Sequence, residues 1–345
     1  MVNPLQYTFT FQTTSQQGQQ KTEPTIQRLA IEACQTKPEP LNTIYSFVQK
    51  FRSDVANETI RARLYEAMDA GKVIRVTKGV YFARSGPAQI LIVEGDAWNV
   101  LNKIEPNSID AIITDPPFNM GTQQWLGKGT TRPHSLMDGK RTYEQHDIDE
   151  QWLREAFRVL NKSRTWNTIN ADKKAKREFP KGGAACAIMV PAFNRTTYPH
   201  ITRLIELAQS IGFVFWGIIT WDKGIIGMDY QCGRDQCMQI LLFTAGERNG
   251  QLWDLGMPNF IEAKKLRRVC DVGVSEHEAE KPAALFIQLL KALSQSGDVV
   301  LDPFAGRARW AKEALSMGRH VILGDIQEQW VNRIAEQDFA YAENS

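Results

Sequence analysis

Four stretches of this 345-residue chain place a carboxylate at the end of an apolar run. Ala111 to Thr114 lead into Asp115-Pro116-Pro117-Phe118. Proline has no N–H for a ladder and a fixed φ, so a strand must stop there in a stiff turn bearing an acid and an aromatic ring. Val299 to Leu301 lead into Asp302-Pro303-Phe304-Ala305-Gly306, Val321 to Gly324 end on Asp325, and Ile90 to Val93 are followed by Glu94-Gly95-Asp96. In open α/β sheets the carboxyl ends of strands are where ligands bind. A glycine turn lets backbone approach a ligand, and an acid roughly twenty residues later suits ribose hydroxyls. The pattern therefore predicts a nucleoside-bearing cofactor. Neither G-x-x-x-x-G-K-[ST] nor a full G-x-G-x-x-G is present, which weakens ATP and NAD readings. No cluster has metal-ligand spacing.

The elements that must hold these acids alternate from Ala88 onward. "QILIVEGDA", "DAIITDPPF", "AACAIMVPA", "FVFWGIITWDKG", "QCMQILLFTAG", "DVVLDPFAG" and "HVILGDI" have strand character. "EQWLREAFRVLNK", "YPHITRLIELAQSIG", "KPAALFIQLLKALS" and "WAKEALSMG" have helical period. Such alternation predicts an α/β domain over 87–345, a mostly parallel Rossmann-like sheet with helices on both faces. Two stretches interrupt it. Residues 122–147 form a polar loop without periodicity. Residues 161–183 form a basic insert with Lys162, Arg164, Lys173, Lys174, Lys176, Arg177 and Lys181, and with Trp166 and Phe179 among them. Cations mixed with aromatics suit phosphate contact or base stacking, although a charge run is commonly a solvated face.

Residues 1–22 are rich in Gln and Thr and read as a disordered tail. Residues 23–86 read as a small helical, winged-helix-like module. "TIQRLAIEAC", "LNTIYSFVQKF" and the segment from Asn57 to Met68 are helical, with Asn57 as a cap and Gly71 as the stop. "KVIRVTKGVYFA" is a hairpin around Lys78-Gly79. This arrangement puts Thr59, Arg61 and Arg63 on a candidate recognition helix and Lys72, Arg75 and Lys78 on a wing; the alternative is a cap that touches no nucleic acid. A net charge of +2 discriminates little. The five scattered cysteines read as free thiols in a reducing compartment. There is no signal peptide and no apolar run of membrane length, so the expectation is a soluble cytoplasmic protein.

The order of these motifs resembles the amino-group DNA methyltransferases that depend on S-adenosylmethionine, in their β, or permuted, arrangement. The resemblance rests on "NSIDAIITDPPFN", "GIITWDKG", "HEAEKP" and "GDVVLDPFAG", and spans roughly Ile90 to Ala335. It implies a bacterial or phage-type protein that takes S-adenosylmethionine as cofactor and double-stranded DNA as substrate, with no metal. It implies that Asp115 and the Pro116 carbonyl accept the N–H groups of an exocyclic amine, on a turn stiffened by Pro116 and Pro117, while Phe118 stacks on the flipped base. Asp302, Phe304 and Gly306 would border the cofactor, Asp325 would take its ribose, and Asp96 would face its adenine amine. Lys281 and Pro282 would precede the helix covering the methionine end. DNA contacts are expected from Arg61, Arg63, Lys78, Lys173, Lys174, Lys176 and Arg177. A homodimer and a companion restriction enzyme are compatible with the family.

Asp at the first catalytic position points to N6 of adenine, with N4 of cytosine as the alternative. A third reading is a non-catalytic DNA-binding protein on the same fold. Its basis is a departure from the family's F-x-G-x-G motif: the second glycine is Ala308, flanked by Arg307 and Arg309. A methyl group there matters most if the position needs φ > 0.

Overall fold

The computed structural model describes residues 24–117, 150–164, 183–193, 197–224, 237–246, 259–263, 281–308 and 310–336. The expected tail, the polar loop, most of the basic insert, Phe118 and Arg309 lie outside the described residues, as do Lys173, Lys174, Lys176 and Arg177.

The first part of the chain contains α1 (Ile26–Ala33), β1 (Glu39–Pro40), α2 (Leu41–Phe51), α3 (Asn57–Asp69), β2 (Val73–Thr77) and β3 (Val80–Ala83). Its three strands form a sheet of order β1-β3-β2, with Gly79 at φ 78 in the turn between β2 and β3. Leu29, Ile44, Val48, Ile60, Leu64 and Tyr81 fill a core of its own. Asn57 does not cap α3. It is the helix's first residue, and its side-chain Oδ1 accepts from Gln49 Nε2 (3.0 Å), while Ala56 holds the cap position.

The remaining elements are β4 (Ile90–Glu94), α4 (Ala97–Lys103), β5 (Ala111–Thr114), α5 (Glu150–Val159), β6 (Ala184–Pro191), α6 (Tyr198–Ile211), β7 (Val214–Asp222), β8 (Cys237–Ala245), β9 (Phe260–Glu262), α7 (Ala283–Leu293), β10 (Val299–Asp302), α8 (Ala311–Ser316), β11 (His320–Asp325) and α9 (Glu328–Glu336). They build an eight-stranded sheet of order β4-β11-β10-β5-β6-β8-β7-β9. Every pairing is parallel except those of β8 with β6 and with β7. The fold is thus α/β with a mostly parallel, doubly wound sheet.

Both faces of the central strands are apolar, because successive residues point to opposite sides and each side carries helices. Ala111, Ile113, Val300 and Val321 face the core made with α7, α8 and α9. Ile112, Leu301, Ile322 and Cys186 face the core made with α4, α5 and α6. At Gly324 in β11 a Cβ would sit 2.7 Å from Val100 of α4, so that helix can approach the strand only over glycine. No helix among the described residues is long and apolar enough to cross a membrane.

Candidate active site

The two ends of the parallel sheet are chemically different. At the amino end the buried charges are neutralised by arginines and tied to the first part of the chain. The Asp110 carboxylate, just before β5, accepts from Val299 N (3.0 Å) and from Arg84 Nη1 (2.8 Å). Burial alone would raise the Asp110 carboxyl, but the Arg84 and Arg164 charges outweigh it and hold it below its ordinary value. Arg164 is itself buried and donates to Asp298 and to the Asp110 carbonyl. His320 Nδ1 accepts from Gln89 N (3.1 Å) while Phe82 of β3 stacks on the ring at 5.5 Å. Burial, and then the Arg84 charge, push that imidazole down to about 4. Arg75 of β2 pairs with Glu105, and Glu105 N donates to Val76 O (3.0 Å).

These contacts dock the β2–β3 hairpin beneath the amino ends of β4, β5, β10 and β11. Arg61 donates to Tyr45 Oη (3.0 Å), Arg63 pairs with Glu66, and Lys78 sits in the hairpin turn. All three therefore lie on the part of the chain that carries the hairpin, and Lys78 lies beside Leu91 and Val93 of β4. Two members of the expected basic insert are also structural. Lys162 donates to the carbonyls of Phe157, Arg158 and Leu160 at the end of α5, and Arg164 is the buried partner of Asp298.

At the carboxyl end, β5 and β10 run side by side and their chains then leave in opposite directions across the sheet. This is the topological switch point, where a crevice opens. Thr114 Oγ1 donates to Asp302 Oδ1 (2.7 Å), and Phe304 N donates to the same oxygen (3.0 Å). Asp302 therefore locks the ends of both strands together. It is 2% exposed. Burial pushes its carboxyl up to about 7, and the charges of Asp115 and Asp325 add to that rise.

The next residues carry the site. Asp115 follows Thr114 directly, with Pro116 buried and Pro117 exposed. The Asp115 carboxylate pairs through Oδ2 with Lys281 Nζ. Asp325 ends β11. Its Oδ2 accepts from Gly306 N (2.8 Å) and its Oδ1 from Gln327 N (2.8 Å), while Ala305 N donates to Gly324 O (2.8 Å). The glycine turn is thus stitched to the neighbouring strand. Gly306 has φ 55, and Ala308 has φ 42 although it carries a side chain and is 4% exposed. The sequence's departure from glycine therefore falls on a residue in the left-handed region. Phe304 packs edge-on to Trp152 of α5 at 5.4 Å.

Asp96 takes the N-cap of α4, accepting from Asn99 N (2.7 Å) through one oxygen and from Asn99 Nδ2 (2.7 Å) through the other. Glu94, two residues before it, is in register with Asp325 on β11, so both acids stand at one rim. Two apolar side chains at this rim escaped the sequence reading. Ile326 is 58% exposed and Trp98 is 43% exposed, each just beyond one of the acids. Sequence could have flagged Ile326, since a large apolar residue directly after a strand-end acid has no core to enter; Trp98, inside the first turn of α4, carries no such mark. On the other side of β5, Phe193 and Tyr198 leave their rings exposed beyond β6, 6.2 Å apart.

The donor set suits a nucleoside with a cationic sulfur. Strand-end carboxylates offer acceptors for hydroxyls and a negative surface, and exposed apolar side chains offer a face for a ring. Asp115, Asp302, Gly306, Lys281 and Asp325 converge on the carboxyl rim, with Asp96 at its edge.

Comparison with known proteins agrees with this geometry. The model of the DNA methylase family, the N6/N4 methyltransferases, matches residues 109–249 and 244–337. The chain is 23% identical over 267 residues to the DNA adenine methyltransferase YhdJ of Escherichia coli (strain K12), covering 72% of this chain and 82% of that protein. It is 24% identical over 277 residues to the type II methyltransferase M.HpaI of Haemophilus parainfluenzae, covering 71% and 73%. The solved structure of the PvuII DNA methyltransferase, described as cytosine-N4-specific, shares the fold with a TM-score of 0.50 at 16% identity, over 74% of this chain and 87% of that one.

Proposed function

The chain belongs to the DNA methylase family of N6/N4 amino-methyltransferases, and from that premise we propose that it methylates the exocyclic N6 amine of adenine in double-stranded DNA, with S-adenosylmethionine as donor. The observation that carries this reading is Asp115, held by a diproline turn at the switch point and beside the Asp302–Gly306–Asp325 crevice.

An aromatic amine is a weak nucleophile because its lone pair is delocalised into the ring. The Asp115 carboxylate and the Pro116 carbonyl each accept one of its N–H groups. Two acceptors fixed in space favour the pyramidal nitrogen, whose lone pair is free to attack, and they stabilise the positive charge that develops there. Pro116 and Pro117 keep both acceptors in place, so little reorganisation is needed. The base reaches this rim only by leaving the duplex, at a cost of a few kcal/mol, and Phe118 is placed in sequence to stack on it. When bound, the sulfonium cofactor would supply the methyl, its sulfur keeping the C–S electron pair as the C–N bond forms, and the proton shed by the nitrogen would pass to solvent. Asp325 and Glu94 would accept from the cofactor's hydroxyls, and Ile326 and Trp98 would offer faces to its adenine ring. Asp302 holds the two strand ends.

Adenine is favoured over cytosine by the acid at the first catalytic position. The adenine specificity of YhdJ supports the same choice. Lys173, Lys174, Lys176 and Arg177 supply phosphate contacts in this reading. The docking of the hairpin at the amino end argues that Arg61, Arg63 and Lys78 contribute less to DNA binding than these.

The test is nucleoside analysis of unmethylated DNA after incubation with the purified protein and labelled S-adenosylmethionine. N6-methyladenine is the expected product, and Asp115→Ala abolishes its formation while the protein stays folded. N4-methylcytosine as the sole product overturns the base assignment, and full activity of Asp115→Ala overturns the site.

A further inference from the structure

Lys281 belongs to the stretch that, by resemblance, was expected to cover the methionine end of the cofactor. In the structure its ammonium is on the catalytic carboxylate, 166 residues away in sequence. The side chains are 10% and 26% exposed, so the pair is shielded but not sealed. Both partners have stiff mounts. Asp115 is followed by two prolines. Lys281 is followed by Pro282, which caps α7 at φ −68, and α7 is anchored in the core through Leu285, Phe286, Leu289 and Leu290. Between the two mounts lies the lysine's own four-carbon stem.

The surroundings call for a cation. Asp115 and Asp325 both add to the rise of the buried Asp302 carboxyl, so two acids at this rim act on a third. An ammonium at Asp115 offsets that repulsion. It also has the form of what Asp115 meets during methyl transfer, a nitrogen that donates N–H and carries positive charge. The two repel each other at one carboxylate oxygen, because both are cationic at the moment of transfer.

We propose that Lys281 is the positioning residue for Asp115: its ammonium holds carboxylate Oδ2 in the acceptor orientation and occupies the place of the target amine until the base displaces it. This rests on the reading of Asp115 as acceptor for that amine. A lysine suits the task because a single charge on a flexible stem can withdraw, whereas a guanidinium fork would keep the carboxylate.

The experiment compares wild type, Lys281→Ala and Lys281→Met for kcat, for KM toward DNA, and for S-adenosylhomocysteine affinity by calorimetry. The Met variant keeps the aliphatic stem and serves if the Ala variant does not fold. The expected result is a kcat lower by roughly tenfold to a hundredfold, as for a misplaced catalytic group. KM for DNA does not rise, and S-adenosylhomocysteine binds as in wild type. Ethylammonium chloride restores kcat of Lys281→Ala at low concentration and inhibits at high concentration, because it then competes with the amine; sodium chloride does neither. Weakened S-adenosylhomocysteine binding with unchanged kcat returns Lys281 to the cofactor and overturns the proposal, as does absence of rescue by ethylammonium. If wild type itself forms no methylated base, the proposed function fails. If wild type is active and both variants keep its kcat, only the role of Lys281 fails.

Discussion

Asp302→Asn is expected to remove a pH dependence that the wild-type fold carries. The Asp302 carboxyl stands at about 7 in the folded protein against 3.8 for the free group, chiefly because it is buried. The fold therefore favours its protonated form. Between about pH 4 and about pH 7 the folded chain holds a proton that the unfolded chain has released, so stability falls as pH rises through that window. The full loss is about three pKa units at about 1.4 kcal/mol each, or roughly 4 kcal/mol as an upper bound. Asparagine keeps the structural duty, since Thr114 Oγ1 and Phe304 N both donate to Oδ1, which an amide retains. Two other buried groups titrate nearby. Burial pushes Asp298 up to about 6, with the same sign as Asp302, and pushes His320 down to about 4, with the opposite sign. Both are common to the two proteins and cancel in their difference. Urea unfolding of each at several pH values between about 5 and about 8 should show the variant gaining on wild type as pH rises, by up to ~3 kcal/mol across that range, about two of the three pKa units. Two parallel curves with a constant offset would refute the reasoning.

Arg84→Met removes one cation from the buried Asp110, which keeps its bond from Val299 N; unfolding free energy should fall by about 2–3 kcal/mol in urea, short of the full cost of breaking a buried pair. Substitutions at Ala308 should divide by shape. Glycine relieves the left-handed strain of about 1–2 kcal/mol but loses a buried methyl worth about 0.8 kcal/mol and loosens the unfolded chain, so Ala308→Gly should lie within about 1 kcal/mol of wild type. Ala308→Val places a β-branched residue at φ 42 in a closed core and should cost about 2–4 kcal/mol by thermal or urea unfolding, so equal stability of the Val and Gly variants would contradict the observed backbone.

The fold was legible because buried parallel strands leave apolar runs and their covering helices leave a different period. What escaped was direction and small size. The antiparallel course of β8 leaves no mark on its pattern, since period two is the same read either way. β9 has three residues, and α4 has seven after an acid. That acid shows why the site was harder than the fold. Asp96 follows a strand and precedes a helix, where the same residue type serves either to cap backbone N–H groups or to receive a ligand. Sequence marks the position, and the bond from Asn99 N shows that one Asp96 oxygen caps the helix, while the other accepts from the Asn99 side chain. Lys162 and Arg164 looked like the start of a basic nucleic-acid loop, and one closes a helix while the other is buried on Asp298.

Lysine and arginine next to carboxylates mean different things at the two ends of this sheet. At the amino end, Arg84 and Arg164 meet Asp110 and Asp298 with many donors, and Arg164 is sealed in. A group of that kind fixes one arrangement, because withdrawing one cation would leave a buried charge without its partner. At the carboxyl end Asp115 is a quarter exposed and is met by one ammonium on an unbranched stem. An ammonium on a flexible stem can be exchanged more readily than a buried guanidinium, which is what the proposed acceptor for an incoming amine requires. The residue types alone could not separate these cases, since both read as an acid with a base to come. Burial and the geometry of the cation separate them: the end that docks the hairpin has sealed, multiply bonded arginines, and the end with Asp115 has the lysine for which exchange is proposed.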